Sequence, residues 1–222
     1  MKSKRNNHIR RLLVIEAARL MYEEGVDQYL DAKRKAAKRL VGGYTLHLPS
    51  NGEISEEIYR MARFEEPDAV TQRLFDMRVL TMDVMEQLTP FNPRLIGSVS
   101  TGRIRASSDI DLHVFVDMPE TLFRYLDELA WPYETKSICI RKEGRFMEFT
   151  HVYLDMEFPV ELSVYPVQDL RVRGRSSTDG KPIDRLSAGR LRTLIMNEHP
   201  EQWEALIYCG GDDETRVGAF SD

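Results

Sequence analysis

The sequence predicts a mixed fold of the α+β kind, an α/β chain with a mixed β-sheet, flanking helices and an N-terminal helical annex. Three observations predict it. Apolar residues recur at helical spacing between residues 8 and 88, strand-like runs occupy residues 94–116 and 137–165, and helical spacing resumes at Ser187. A chain of 222 residues with 42% hydrophobic and 30% charged residues is long enough for one good core or two small ones. The pattern divides it into a helical region at 1–90, a central core at 91–170, and a basic loop with C-terminal helices at 171–222.

The first helix covers residues 8–24, with Leu13, Ala17, Leu20 and Met21 on one face and Gly25 as its C-cap. Asp27 is the expected N-cap of a second helix reaching Leu40, and Gly42-Gly43 stops it. Leu48-Pro49-Ser50-Asn51-Gly52 reads as a turn-rich linker, after which a short third helix is expected from Ser55. Residues 68–88 form the most regular helix, with Leu74, Met77, Leu80, Val84 and Leu88 on one stripe and Thr89-Pro90 at its end. Met77, Met82 and Met85 are core filler. Beyond Asp117, Pro119–Trp131 is helical, with Leu122, Tyr125, Leu126 and Leu129 inward. Three strand-like runs follow at Ser137–Arg141, Arg145–Met156 and Pro159–Tyr165, joined by turns at Glu143-Gly144 and Glu157-Phe158-Pro159. Helix resumes at Ser187 with Leu191, Leu194 and Ile195 inward, His199-Pro200 breaks it, and Glu201–Tyr208 is a last short turn or helix.

No apolar run approaches the ~18 to 20 residues that a membrane span needs. Glu16 and Arg19 interrupt any signal-peptide core behind the basic start, and Cys139 and Cys209 form neither a disulfide framework nor a zinc motif. A reduced, cytoplasmic chain is expected. The net charge of −5 conceals an asymmetry: residues 1–40 carry +6 and the remainder −11. The basic helices are either a solvated face or a surface for nucleic acid or an acidic partner.

The chemistry concentrates between Arg94 and Val116. Ile96-Gly97-Ser98 closes a short apolar run, ten residues follow (99–108), and then Asp109-Ile110-Asp111-Leu112 opens an apolar strand. Successive strand side chains point to opposite faces, so Asp109 and Asp111 project together while Ile110, Leu112 and Val114 enter the core. Two adjacent carboxylates repel unless a cation lies between them, and hard oxygen ligands suit magnesium together with substrate phosphates. Gly97 lets phosphate oxygens approach the main chain, and the Ser98 hydroxyl can donate to them.

At these residues the chain resembles the DNA polymerase beta-like nucleotidyltransferase superfamily. The hallmark is an apolar residue, Gly-Ser or Gly-Gly, roughly ten residues, then Asp-x-Asp or Asp-x-Glu on a strand. Ser108 before the first aspartate is a common form, and the likeness covers about residues 91–166. The resemblance implies a nucleotidyltransferase fold and a third acid on a later strand. Glu161 is the best match, with Asp155 as competitor, although most members carry aspartate there. Val160, Leu162 and Val164 would then face the core, with Glu161, Ser163 and Tyr165 toward the cleft.

The implied cofactor is magnesium, two ions, with manganese able to substitute. Asp109, Asp111 and Glu161 would be both metal ligands and catalytic residues, Glu161 also taking the proton of the acceptor hydroxyl. Gly97, Ser98, Ser108 and Arg103 are the candidate nucleotide-binding residues. The implied reaction moves a nucleoside monophosphate from a nucleoside triphosphate to a hydroxyl acceptor with release of pyrophosphate. A small-molecule or protein acceptor is expected ahead of RNA. The rival reading is a non-catalytic protein that binds nucleic acid or a protein partner and keeps a vestigial nucleotide site.

His113 shares the strand face of the two aspartates and reads as a hydrogen-bonded structural histidine, while His8, His47, His151 and His199 show no metal-ligand spacing. Arg105, the run Arg171, Arg173, Arg175 to Lys181, and Arg141, Lys142 and Arg145 around the first hairpin turn are as consistent with solvated surface as with contacts to an anionic substrate.

Overall fold

The computed structural model describes residues 2–65, 67–142, 145–172, 174 and 182–209, the side chains of 2–5, 140–142, 145–148 and 209 aside. The Glu143-Gly144 turn, Arg173, the run from Arg175 to Lys181 and the side chains of Arg141, Lys142 and Arg145 lie outside the described residues. The chain forms two compact units. One contains Met1–Val70, Arg103–Ser107 and Gly174–Pro182; the other contains Thr71–Gly102, Ser108–Arg173 and Ile183–Asp222.

In the first unit, helices α1 (Lys2–Tyr22), α2 (Tyr29–Val41) and α3 (Asn51–Glu65) share one core. Leu13, Ala17, Leu20 and Met21 of α1 meet Ala32, Ala36 and Ala37 of α2 and Ile54 and Ile58 of α3. The alanines let helix backbones approach closely, so a core forms from few large side chains. Gly25 takes φ 66 and turns the chain after α1, and Gly42 closes α2 at φ 77. The N-cap of α2 is Gln28, without a side-chain cap bond, rather than Asp27. Helix α3 starts four residues earlier than expected, at Asn51 instead of Ser55.

The reason is a capping box. The Ser50 hydroxyl accepts from the Glu53 backbone N–H at 3.2 Å, and the Glu53 carboxylate accepts from the Ser50 N–H at 2.7 Å. Arg10 donates twice to the same carboxylate, at 2.8 and 2.6 Å, and these bonds hold the Glu53 pKa down at about 2. Ser50→Ala is expected to lower stability by about 1 kcal/mol. Glu53→Ala should cost more, because it also strands Arg10; equal losses in urea unfolding would contradict this account of the cap.

The basic surface of this unit is partly neutralised from within. Arg19 pairs with Glu16, Glu23 and Glu24, and Arg39 pairs with Glu16 and Glu24.

The second unit is a five-stranded mixed sheet with helices. Helix α4 (Pro67–Gln87) buries Leu74, Met77, Met82, Val84 and Met85 and leads through a turn at Thr89–Phe91 into β1 (Arg94–Ile96). A short helix, α5 (Gly97–Thr101), separates β1 from β2 (Ile110–Phe115). Helix α6 (Pro119–Glu128) follows and buries Leu122 and Leu126. The strands β3 (Tyr133–Lys142), β4 (Arg145–Leu154) and β5 (Val160–Tyr165) complete the sheet, and α7 (Ala188–Glu198) and α8 (Pro200–Cys209) end the described chain.

The strand order is β1-β2-β5-β4-β3. Among the described strands only β2 and β5 pair in parallel; the other neighbours are antiparallel. Ile110, Leu112 and Val114 of β2 and Val160, Leu162 and Val164 of β5 are all buried on one face, as alternation requires. Each such aliphatic side chain contributes roughly 1.5–3 kcal/mol by leaving water. Strand β3 begins at Tyr133, four residues before the expected Ser137, because an edge strand needs no continuous apolar pattern to be recruited.

Candidate metal centre

Register builds the site. Asp111 on β2 lies opposite Ile96 on β1 and opposite Glu161 on β5. The residue after Ile96 is Gly97, so the Gly-Ser step turns away from the sheet beside the Asp111 carboxylate. Gly97 adopts φ +72, and a Cβ placed there would overlap the Asp111 side chain, lying 3.1 Å from its Cγ and 3.3 Å from its Cβ. Glycine is required here twice, for its dihedral and for its missing methyl group.

Asp109 directly precedes β2, fixed by the bond from the Ile110 N–H to the Pro159 carbonyl at 2.9 Å. Asp109, Asp111 and Glu161 each bring a carboxylate oxygen to within 4.8 Å of the others, a spacing at which one ion can be shared. Asp155 is exposed beyond the end of β4 and is not in this group. Burial, the Asp109 charge and the Glu161 charge together push the Asp111 carboxyl up to about 7. Three clustered hard oxygen donors suit a divalent cation, which would offset the repulsion among them.

Ser98, half-buried, follows Gly97 in α5, and Ser108, buried, precedes Asp109. The Ser100 and Thr101 hydroxyls donate to the Gly97 carbonyl at 2.8 and 3.2 Å, which fixes the turn that carries Gly97 and Ser98. Arg103 belongs to the other unit, where its guanidinium pairs with Glu56 at 2.9 Å; Arg105 lies over the Tyr29 ring there, at 6.0 Å.

Sequence reasoning missed three supporting side chains. His151, on β4, places Nδ1 2.5 Å from Glu161 Oε1. Arg185 donates from Nε to His113 Nδ1 at 3.0 Å, and from Nη1 to the Asp169 and Val172 carbonyls at 2.9 and 2.8 Å. Its guanidinium also covers the Phe115 and Tyr165 rings at 5.0 and 5.6 Å. His113 is therefore the hydrogen-bonded structural histidine expected, kept neutral with its pKa lowered to about 4 by burial and by Arg185. Arg78, fully buried, donates from Nε to the Val99 carbonyl at 3.2 Å and from Nη1 to Glu198 at 2.7 Å, which anchors α5 to α4. Arg78 and Arg185 act through partners far apart in the chain, and His151 through the register of a hairpin, which no local pattern announces.

No family model matches the chain, and no curated protein matches it. Three solved structures align with part of it. They are a cytoplasmic RNA terminal U-transferase (18% identity, 51% of this chain and 34% of that one, TM-score 0.25), the GLD-2/RNP-8 complex (18%, 48% and 44%, TM-score 0.28), and Cid1 with its short product ApU (19%, 51% and 36%, TM-score 0.25). The chain thus matches less than half the length of each. The chemistry assigned to this protein rests on its own residues. No described helix is long and apolar enough to cross a membrane. The site therefore consists of Gly97-Ser98 directly after β1, Asp109 and Asp111 at the start of β2 and Glu161 on the neighbouring parallel strand.

Proposed function

We propose that the protein is a magnesium-dependent nucleotidyltransferase that moves a nucleoside monophosphate from a nucleoside triphosphate to a hydroxyl acceptor. The carrying observation is the convergence of Asp109, Asp111 and Glu161 within 4.8 Å, beside a glycine that leaves the main chain bare. Asp109, Asp111 and Glu161 would hold the metal. Divalent cations in such a site supply Lewis-acid stabilisation of the phosphate charge and of the leaving pyrophosphate.

The protein's own groups do the rest. Gly97 and Ser98 bind and orient the β and γ phosphates, with Ser108 beside the first aspartate. Glu161 faces the acceptor and takes the proton of its hydroxyl as the oxygen attacks the α-phosphorus and the bond to pyrophosphate breaks.

Incubation with magnesium and triphosphates labelled at the α-phosphate, offered small-molecule, protein and RNA acceptors in turn, tests this. Label transfer that disappears in Glu161→Gln supports the proposal. Salt-sensitive RNA binding, undiminished in Asp111→Ala and without transfer to any acceptor, would support the binding-protein reading instead. The internal pairing of Arg10, Arg19 and Arg39 does not favour that reading.

A further inference from the structure

We propose that His151 is a positioning residue for the third carboxylate, holding Glu161 so that its other oxygen is presented to the ion shared with Asp109 and Asp111. The inference rests on the metal-centre reading above and adds a residue to it. Glutamate carries three side-chain torsions and loses rotamer freedom when fixed. A glutamate that must meet two aspartates therefore needs something to hold it.

The sheet provides the holder. Strands β4 and β5 are antiparallel, with His151 opposite Ser163 and Tyr153 opposite Glu161, so His151 and Glu161 are diagonal neighbours on one face. Nδ1 of His151 lies 2.5 Å from Glu161 Oε1, and the Ser163 hydroxyl oxygen lies 3.5 Å from the same nitrogen. A carboxylate that ligates a cation only accepts, so in the metal-bound site the imidazole would carry its hydrogen on Nδ1. Tyr153, directly opposite Glu161 in the ladder, stands on the same face. Side-chain exposures of 16% for His151 and 23% for Glu161 separate this pair from a loose surface contact. With Oε1 held by His151, Oε2 would be the oxygen free to turn toward a cation. Groups that orient a metal ligand in this way typically change metal affinity by about 10- to 100-fold when removed.

The test is a calorimetric Mn2+ titration of the nucleotide-free protein as wild type, His151→Leu, His151→Gln, His151→Asn and Asp111→Asn, each checked for cooperative unfolding. The dissociation constant is expected to rise about tenfold in His151→Leu and to return to within about threefold of wild type in His151→Asn, whose amide N–H stands where Nδ1 stood. His151→Gln keeps polarity but puts its amide at the Nε2 position, so it should behave as His151→Leu does and serves in its place if that variant does not fold. In a Glu161→Gln background, His151→Leu should add nothing, because its effect acts through Glu161. Wild-type affinity in His151→Leu and His151→Gln, with binding lost in Asp111→Asn, overturns the role of His151 alone. Absence of Mn2+ binding by the wild type overturns the metal centre and this inference with it.

Discussion

Gly97→Ala is expected to abolish triphosphate binding and to destabilise the protein by roughly 3 kcal/mol, the sum of a left-handed backbone penalty and an overpacking penalty. At φ +72 an L-residue is strained, and the added methyl group falls on the Asp111 carboxylate. Relief requires either β1 or Asp111 to move, and both belong to the site. Gly25→Ala is the matched control: φ there is +66, but nothing lies within 4 Å of the new methyl group. It should cost only about 1 kcal/mol and leave binding intact. Urea midpoints at constant slope separate the two terms, and equal losses at both glycines would refute the close approach of Gly97 to Asp111.

Asp111→Asn should do the opposite to stability while removing function. The Asp111 carboxyl is raised from 3.8 to about 7 in the metal-free protein, so between these values the native state holds a proton that the unfolded chain has released. Stability of the wild type therefore falls, on this account, as pH rises from about 4 to about 7, and the full penalty is present above that window. Removing the charge recovers on the order of 4 kcal/mol at pH 8.

His113 acts in the other sense. Its pKa is lowered from 6.5 to about 4, so its contribution is full above pH 6.5 and is lost as pH falls toward 4. The two slopes offset each other in the wild type, and Asp111→Asn leaves only the loss on acidification. Magnesium stabilisation of the wild type should grow as pH rises toward 7, because the cation competes with the Asp111 proton. Thermal unfolding across pH 4–8, with and without magnesium, reads all of this. An Asp111→Asn protein no more stable than wild type at pH 8 would contradict the crowding of the three carboxylates.

The parts of this site that were legible in the sequence are those with local spacing. Gly97-Ser98 and Asp109-x-Asp111 announce themselves because a turn and a strand impose fixed separations. Glu161 is legible as a charge at an alternate position among Val160, Leu162 and Val164, and the parallel β2–β5 register is what sets it opposite Asp111. Asp155 fell outside the group because it lies past the end of its strand. His151 gave no such signal: its meaning depends on which residue of β5 it meets, a pairing of antiparallel strands that spacing alone does not fix.

Arg78 and Arg185 were illegible for the same reason. Each acts through partners brought together by tertiary structure, with Glu198 lying 120 residues from Arg78 and His113 lying 72 from Arg185. The early start of α3 was different. Ser50 and Glu53 have capping-box spacing in the sequence, but Pro49 and Gly52 around them are equally turn signals, and only the paired hydrogen bonds decide between the two.

Asp109, Asp111 and Glu161, with Gly97 and Ser98, are proposed to form a magnesium–triphosphate site. Calorimetric titration of each of the four nucleoside triphosphates in the presence of magnesium, on wild type and on the Asp109→Ala, Asp111→Ala double variant, tests it most directly. The account predicts saturable, magnesium-dependent binding of at least one triphosphate by the wild type and its loss in a double variant that still unfolds cooperatively. Undiminished binding in the double variant, or no binding of any triphosphate by the wild type, would contradict it.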